Sequence, residues 1–390
     1  MPNGRHRRAR ISTLRRRSVG VLGVLGAAAV LLAACSSSSN NNASGSTTTT
    51  QGTVSLSSLE KWPTSSVALQ ETGSSLLYPL FNLWQGQIQK EWPSVSLTTA
   101  ATGSGTGIAD AANGTVNIGA SDAYLSPAQV QQTPGLMNIP LAISAQQVNY
   151  NVPGVTGHIK LDGPTIAAIY TGQITNWNDA KIAALNTGLT LPNLPIVTVH
   201  RSDSSGDTFL FTSFLTAAAP SAWTIAPNTT VAWPNVPGAV AAQGNGGMVQ
   251  ACQKNPGCIA YIGVSYLNQA TAAGLGYASL KNKSGNFELP TQAAVSAATG
   301  AFANSTPANG AVSMIFGSAT DGYPIVNYEY AIVPSKQPSA LAAQAVRAVL
   351  AWAVDPTGGN APTFLDQVGF VALPTQVQDI SAKLIAKVTG

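Results

Sequence analysis

Apolar residues along the chain recur at two spacings, one typical of helices and one typical of strands. Leu77, Leu80, Phe81, Trp84 and Ile88 lie three or four positions apart and predict a helix over 76–89. Short apolar runs at 66–70, 94–100 and 116–120 predict strands around it, with a short helix at 108–112. This alternation of strands and helices predicts an open α/β sheet.

The rest of the chain continues the alternation. Extended segments are predicted at 136–144, 148–152, 195–200, 258–262 and 323–333. Helices are predicted at 165–170, 179–185, 208–217, 289–303, 339–354, 363–370 and 377–388. About 330 residues take part in this pattern, which is enough for two core-forming domains.

The first 34 residues have the composition of an export signal. Seven arginines without an acidic residue precede an apolar run over 19–34, which is shorter than the roughly 20 residues that a membrane-spanning helix needs. The run ends in Leu-Ala-Ala-Cys, which resembles the lipobox at which bacterial lipoproteins are lipidated, here on Cys35. A plain secretory signal with an incidental cysteine is the alternative, and the sequence leaves both the general and the twin-arginine export routes open.

Residues 35–56 are rich in Ser, Asn and Thr and are predicted to be a flexible tether, because they contain too few apolar groups to fold. Removing the segment before Cys35 leaves 12 Lys and Arg against 15 Asp and Glu, which changes the formal charge from +4 to −3. The mature chain therefore offers no basis for binding nucleic acid. Arg201 and Arg347 are its only arginines.

Cys252 and Cys258 flank a turn-forming Asn-Pro-Gly sequence. In an exported protein such a pair is most simply a disulfide. A metal site would need further ligands, and His158 and His200 are the only histidines after Cys35. We therefore expect neither a metal ion nor another cofactor.

Four segments rich in Gly, Ser and Thr occur where predicted strands end or helices begin. They are 72–76, 102–108, 119–123 and 200–209. Ligands of open α/β sheets bind beyond the carboxyl ends of the strands, where the free N–H groups of helix N-termini can bind anions. One such segment could be a simple helix cap, but four of them can converge on one small anion.

Three charged residues in these segments are candidates for contacts with that anion. Arg201 has the planar donor group that suits an oxyanion, with a surface ion pair as the alternative. Asp122 could accept a hydrogen bond from the ligand or only cap a turn. Asp207 could face the ligand or complement the dipole of the following helix. Asp203 is interpreted as a turn former outside the site.

Two enzymatic sites do not fit the sequence. The nucleophile elbow of hydrolases, Gly-x-Ser-x-Gly, matches neither Ser104 in Thr-Gly-Ser-Gly-Thr nor Ser205 in Asp-Ser-Ser-Gly-Asp. The chain also lacks the Gly-Lys-Ser or Gly-Lys-Thr of nucleotide-binding phosphate loops. We therefore predict a binding protein rather than an enzyme, with a phosphatase-like hydrolase or a surface adhesin on the same scaffold as the alternative.

Taken together, segments 71–84 and 116–126 and the loop at Arg201 resemble those of the phosphate-binding proteins of bacterial ABC importers, most of all the mycobacterial phosphate-binding lipoproteins. The resemblance extends from about residue 67 to the C-terminus. It implies a two-lobed α/β fold of the type II periplasmic-binding-protein class, with two hinge crossings and a ligand cleft between the lobes. Lobe I would comprise 57–141 and 323–390, and lobe II would comprise 142–322.

By position, the resemblance implies that all four segments supply phosphate contacts. The implied residues are Ser75, Leu76, Ser104, Thr106, Asp122, Arg201, Ser205, Gly206 and Asp207. Many relatives have Phe in place of Leu76, a change that leaves a backbone N–H contact possible. Many have Thr in place of Asp207, and because a carboxylate only accepts hydrogen bonds, Asp207 would add a second acceptor if it faces the ligand.

The resemblance also implies how the ligand is selected and delivered. Inorganic phosphate carries one or two protons at neutral pH and sulfate carries none, so Asp122 would accept a hydrogen bond from a phosphate P–OH group and repel sulfate. Arsenate is protonated as well and would not be separated from phosphate. The expected partners are phosphate, the permease subunits of an ABC importer, and the membrane, which a monomeric chain would contact through a lipid anchor on its extracytoplasmic face.

Overall fold

The computed structural model describes residues 54–390, so the predicted signal, Cys35 and most of the predicted tether lie outside the described residues. The helices of this part are α1 (Leu56–Leu59), α2 (Tyr78–Glu91), α3 (Ser104–Ala112), α4 (Pro127–Gln132), α5 (Gly163–Tyr170), α6 (Ala180–Leu185), α7 (Gly206–Ala218), α8 (Gly244–Lys254), α9 (Leu267–Ala272), α10 (Gln292–Gly300), α11 (Ala340–Val354), α12 (Pro362–Val368) and α13 (Thr375–Ile385). Its strands are β1 (Val67–Gly73), β2 (Val95–Thr98), β3 (Ile118–Ser121), β4 (Leu136–Tyr150), β5 (Lys160–Leu161), β6 (Val197–Arg201), β7 (Val240–Ala242), β8 (Cys258–Gly263), β9 (Gly276–Tyr277), β10 (Ser279–Lys281), β11 (Phe287–Glu288) and β12 (Val326–Pro334).

Within residues 54–390, nine strands form one mixed sheet in the order β2-β1-β3-β12-β4-β8-β6-β7, with β9 paired to β4. Strand β1 runs parallel to β2 and β3, and β6 runs parallel to β7 and β8. Strand β12 is antiparallel to β3 and β4, and β4 is antiparallel to β8. Strands β11, β10 and β5 form a smaller sheet. The predicted α/β class is confirmed.

The longest strand, β4, joins the two halves of the large sheet. Nine of its first ten residues pair with β12, with Leu141 left out at a register shift, and residues 146–150 pair with β8. The segments predicted to be extended, 136–144 and 148–152, are joined into one strand that ends at Tyr150, because Ala145, Gln146 and Gln147 continue it in buried positions without a turn-forming residue. At the point where β4 changes its pairing partner, the Gln146 N–H donates to the carbonyl of Ile325 at 3.1 Å. Ile325 is the residue just before β12.

The predicted apolar stripe of α2 faces the core. Leu80, Phe81, Trp84 and Ile88 are all buried, and the Trp84 Nε1–H donates to the Gly359 carbonyl at 2.9 Å, which satisfies the polar atom of the indole. Helix α2 begins at Tyr78, two residues later than predicted, because the Leu76 and Leu77 N–H groups donate to the Ser74 hydroxyl in a turn before the helix.

Helix α8, which the sequence pattern did not predict, leads into a disulfide between Cys252 and Cys258, with a Cα–Cα distance of 5.2 Å. The expected pairing is confirmed. Among residues 54–390, no helix has the length and apolar character needed to cross a membrane. The same residues contain no group of three or more His, Cys, Asp or Glu side chains arranged to hold a metal ion.

Candidate functional site

The loops that follow β1, β3 and β6 meet at one place. The carboxyl ends of neighbouring parallel strands lie at the same edge of a sheet, which brings together the loops after β1 and β3, residues 74–77 and Asp122. Strand β6 runs in the opposite direction in the sheet, and residues 202–205 after it meet the other two loops through tertiary contacts. The Gly105 N–H at the start of α3 donates to the Ser204 carbonyl at 3.0 Å. A Cβ added to Gly206 would lie 2.5 Å from Asp122 Oδ2. These contacts bring all four predicted segments into one buried cluster.

Asp122 occupies the centre of this cluster and is 1% exposed. The Ser74 hydroxyl donates a short hydrogen bond to its Oδ1. The Ser104 hydroxyl donates to Oδ2 at 3.4 Å and accepts the Asp122 backbone N–H at 3.3 Å. Two serines from different segments therefore fix the orientation of the carboxyl group.

The pKa of Asp122 is raised to about 7. Burial is the largest cause, followed by the charge of Asp207, and hydrogen bonds and the charge of Arg201 offset only part of the effect. A carboxylate held in this way is stabilised by any ligand that donates a proton to it. The carboxyl group is thus poised to distinguish protonated from unprotonated anions near neutral pH.

Arg201, the last residue of β6, directs its guanidinium group at two carboxylates. Its Nε donates to Asp203 Oδ1 at 2.7 Å, Nη2 makes a short contact with Asp203 Oδ2, and Nη1 donates to Asp207 Oδ2 at 2.8 Å. Burial raises the pKa of Asp203, but the hydrogen bonds and charge of Arg201 outweigh it, so that pKa is lowered. The pair with Asp203 fixes the plane of the guanidinium group and leaves further Nη hydrogens for other acceptors.

Asp207 is fully buried in the first turn of α7. Besides Arg201, its carboxylate accepts from Gln146 Nε2 at 3.1 Å and from Asn245 Nδ2 at 2.8 Å. Burial raises the pKa of Asp207, although Arg201, Gln146 and Asn245 each lower it. Asp207 thus belongs to the same charged network as Arg201, and its place in the first turn of α7 also lets it complement the helix dipole.

Asn245, near the start of α8, controls the direction of the Ser75 hydroxyl hydrogen. Ser75 Oγ accepts the Asn245 backbone N–H at 3.1 Å and its Nδ2–H at 3.0 Å. Both lone pairs of the hydroxyl are then used, so its single hydrogen must point to a third partner. Asn245 Oδ1 accepts the Gly263 N–H at 2.7 Å, which fixes the amide in this orientation.

Backbone donors complete the cluster. The N–H groups of Ser75, Ser104 and Gly206 have no hydrogen-bond acceptor among residues 54–390. Ser104 and Gly206 are the first residues of α3 and α7, where the helix dipole adds positive potential. With Arg201 and the Ser75 hydroxyl, these groups supply several buried donors, and Asp122 supplies a buried acceptor.

Comparisons with known proteins identify the family of the chain. The family model described as a PBP superfamily domain matches residues 38–357. The chain is 34% identical to the phosphate-binding protein PstS of Xylella fastidiosa strain 9a5c over 60% of this chain and 63% of that protein. It is 32% identical to the phosphate-binding protein PstS 2 of Mycobacterium tuberculosis over 76% of this chain and 80% of that protein.

The chain belongs to the PstS family of phosphate-binding proteins. The resemblance to phosphate-binding proteins that the sequence showed, and in particular to those of mycobacteria, is therefore confirmed. The solved phosphate-binding protein from Stenotrophomonas maltophilia superposes with a TM-score of 0.64 at 23% identity, covering 81% of this chain and 93% of that one. This likeness confirms the two-lobed binding-protein fold. The family consists of substrate-binding proteins, in agreement with the expectation that the chain is not an enzyme.

Most of the residues that the PstS resemblance implied lie in the cluster, with Thr106 as the exception. Ser75, Ser104, Asp122, Arg201, Ser205, Gly206 and Asp207 are all buried there. Thr106 is exposed on α3 and makes no side-chain hydrogen bond within the described residues, because the helix turns it away from Ser104. The Leu76 N–H is donated to Ser74 Oγ at 3.1 Å.

Sequence reasoning missed four residues of this PstS site. Asp203 was interpreted as a turn former, but it binds Arg201 with both carboxylate oxygens. The sequence signal that could have indicated this ion pair is the position of Asp203 two residues after Arg201. Ser74 differs from Ser75 only in its position within the turn. Asn245 follows a three-residue strand that the pattern did not predict, and Gln146 is a polar residue inside a long buried strand.

Proposed function

We propose that this protein binds inorganic phosphate with high affinity outside the cytoplasmic membrane and delivers it to an ABC-type phosphate importer. The observation that carries the proposal is one buried acceptor, Asp122, surrounded by buried donors from Arg201, Ser75 and two helix N-termini. The donors neutralise an oxyanion, and the acceptor favours an oxyanion that still carries a proton. The PstS proteins to which the chain is similar are named as phosphate-binding proteins.

In this proposal, each residue has a separate task. The hydroxyl groups of Ser75 and Ser205 and the backbone N–H groups of Ser104 and Gly206 donate to phosphate oxygens, and Arg201 balances the charge. Asp122 accepts a hydrogen bond from the phosphate P–OH group, and Asp207 provides a second acceptor. Because the Leu76 N–H already has Ser74 as its acceptor, we assign the backbone contact of this segment to Ser75.

We further propose that the binding segments belong to two lobes, with lobe I at 57–141 and 323–390 and lobe II at 142–322. Strand β4 and the segment before β12 would be the two crossings, which fits the change of pairing partner along β4. Closure of the lobes would remove water from the ligand and change the surface that the permease contacts.

We propose that Cys35 carries a lipid anchor and that residues 35–56 tether a monomeric binding domain to the extracytoplasmic face of the membrane. The apolar run that ends at Cys35 supports this proposal. The Cys35→Ser variant should move from the membrane fraction to the soluble fraction. Intact mass spectrometry should find a lipid on the wild type only, and a wild-type protein without lipid would contradict the anchor.

Calorimetry on a protein that starts at Ser36 tests the binding proposal. Phosphate and arsenate should bind once per chain, and sulfate should bind on the order of 10⁴-fold more weakly because Asp122 finds no proton on it. A folded protein that does not bind phosphate would refute the proposal. Steady release of phosphate from a phosphomonoester by the same protein would favour the hydrolase instead.

A further inference from the structure

A second buried carboxyl group, that of Glu329, lies behind Asp122. Strand β12 runs antiparallel to β3 with Tyr330 opposite Ser121, so Glu329 is level with Asp122, which follows β3. Glu329 is 0% exposed and Asp122 is 1% exposed. The Asn327 side chain connects the two residues, because its Nδ2 donates to Glu329 Oε1 at 2.9 Å and to the Asp122 carbonyl at 3.4 Å.

The hydrogen bonds around Glu329 require a proton on the carboxyl pair. Glu329 Oε1 contacts Ser144 Oγ at 2.5 Å and Asn327 Nδ2. Glu329 Oε2 is buried and has no protein donor among residues 54–390, and the strand register sets the Asp122 carboxyl group beside it. Two ionised carboxylates cannot donate to each other, and an unpaired buried charge is costly. One proton shared by the pair resolves the conflict.

The charges around the pair favour the same state. From α7, Asp207 adds negative charge near Asp122, and from β6, Arg201 adds positive charge. Burial raises the pKa of Glu329 well above its ordinary value, and the charge of Asp122 raises it further, whereas Ser144 and Asn327 lower it. Tyr330, the neighbour of Glu329 on β12, is buried, and its own pKa is raised, so it stays uncharged. Asp122 is therefore the ionisable group that opposes ionisation of Glu329 most directly.

We propose that Glu329 is protonated at neutral pH and donates a hydrogen bond to Asp122, so that the pair carries one negative charge and Glu329 sets the alkaline limit of phosphate binding. Glu329 is a positioning residue, since it acts on phosphate through Asp122. This inference rests on the proposed function. When the pair loses its shared proton, a second buried negative charge faces the bound anion and binding weakens.

The Glu329→Gln variant distinguishes the proposed role of Glu329 as an ionisable partner of Asp122 from a purely structural role. Glutamine keeps the shape and can donate to Asp122, but it cannot ionise. The measured quantity is the ratio of the wild-type Kd for inorganic phosphate to that of the variant, from mildly acidic to mildly alkaline pH. Ionisation of free phosphate affects both proteins equally and cancels in the ratio. The ratio should rise with pH, by up to about tenfold per pH unit once the pair loses its proton.

Glu71→Gln is the matched control, because Glu71 is another buried carboxyl group on the same sheet whose contacts are with Thr99 and Ala100 and not with Asp122. Its Kd ratio should not change with pH. A pH-independent ratio for Glu329→Gln would overturn the inference. Much tighter binding by that variant at neutral pH would also overturn it, since it would mean that glutamine had removed a charge.

A second measurement does not depend on the variant or on phosphate. The carboxyl carbon of Glu329, assigned by NMR in the wild-type protein, should have the chemical shift of a protonated acid at neutral pH. The shift of an ionised carboxylate there would overturn the inference, even if Glu329→Gln fails to fold. If the folded wild type does not bind phosphate at all, the proposed function fails, and the NMR result still decides the state of Glu329.

Discussion

At the scale of single residues, the site combines one cation with several acids. Arg201 faces Asp203 and Asp207 directly, while Asp122 lies across the cluster with its own hydroxyl donors. Such a surplus of carboxylates would repel a bare anion. It suits an anion that brings protons, because each proton turns a repulsive contact into a hydrogen bond.

Asp122→Asn should retain some phosphate binding and narrow the preference over sulfate. The amide of asparagine can donate to an unprotonated oxygen, so the repulsion that excludes sulfate is lost. We expect the ratio of sulfate Kd to phosphate Kd to fall by at least about 100-fold from the order of 10⁴. Calorimetry with both anions measures it, with Asp110→Asn on α3 as the control. An unchanged ratio would remove Asp122 from the selectivity mechanism.

Arg201→Ala should weaken phosphate binding strongly, because the ligand loses its cation and Asp203 and Asp207 lose their partner. Arg201→Lys keeps the charge, but a lysine ammonium group cannot donate to both Asp203 oxygens and to the ligand as the planar guanidinium group can. The Kd of this variant for phosphate should therefore rise by about 10- to 100-fold. Arg347→Ala is the matched control, since Arg347 Nη1 donates to the Val388 carbonyl, outside the site. Near-native affinity of Arg201→Ala would place Arg201 outside the binding site.

At the scale of elements, the site depends on how closely the N-terminus of α7 approaches the loop after β3. Gly206 is the first residue of α7. A Cβ at this position would lie 2.5 Å from Asp122 Oδ2 and 2.6 Å from Ser104 Oγ. This close approach, which the proposed binding mode needs, is possible only because Gly206 has no side chain.

Gly206→Ala should reduce phosphate affinity by at least about 100-fold, since the added methyl group forces α7 away from Asp122 and lengthens its hydrogen bonds to the ligand. Gly247→Ala on α8 is the control, because its nearest contact would be an ordinary 3.8 Å to Ala242. Calorimetry gives the affinities, and circular dichroism verifies that both variants are folded. Equal affinities for the two variants would contradict the close approach.

The sequence predicted the elements that carry the site better than the partners of each side chain. The loops after β1 and β3 could be placed together because parallel neighbouring strands end at the same edge of a sheet. Strand β6 runs in the opposite direction, so the meeting of its loop with the other two depends on the tertiary fold. Asn245 could not be predicted, because β7 has three residues and the apolar pattern of α8 is weak. Glu329 and Gln146 lie in strands that are buried along most of their length, and only the tertiary fold determines which polar group each one meets.

At the scale of the whole molecule, buried carboxyl groups link stability to pH. The pKa of Glu71 is raised to about 8 by burial, which hydrogen bonds from Thr99 and Ala100 only partly offset. Asp122 and Asp207 are raised as well, with burial as the main cause. A folded-state pKa above the unfolded value stabilises the fold at low pH, and this stabilisation is lost as pH rises through the folded-state pKa. The protein is therefore expected to become less stable from weakly acidic to weakly alkaline pH.

Glu71→Gln isolates the contribution of one carboxyl group to the loss of folding stability at higher pH. Glu71 is 3% exposed and its Oε1 has no partner among residues 54–390, so ionisation leaves a charge with little compensation. Between its ordinary value of 4.5 and a folded-state pKa of about 8, the wild type should lose roughly 4 kcal/mol of unfolding free energy that the variant keeps. Urea unfolding of both proteins at the two ends of this range measures the difference. Glu91→Gln, an exposed change at the end of α2, should not alter the pH dependence. If Glu71→Gln changes the unfolding free energy equally at the acidic and the alkaline end of this pH range, the Glu71 carboxyl group does not cause the pH dependence of stability there.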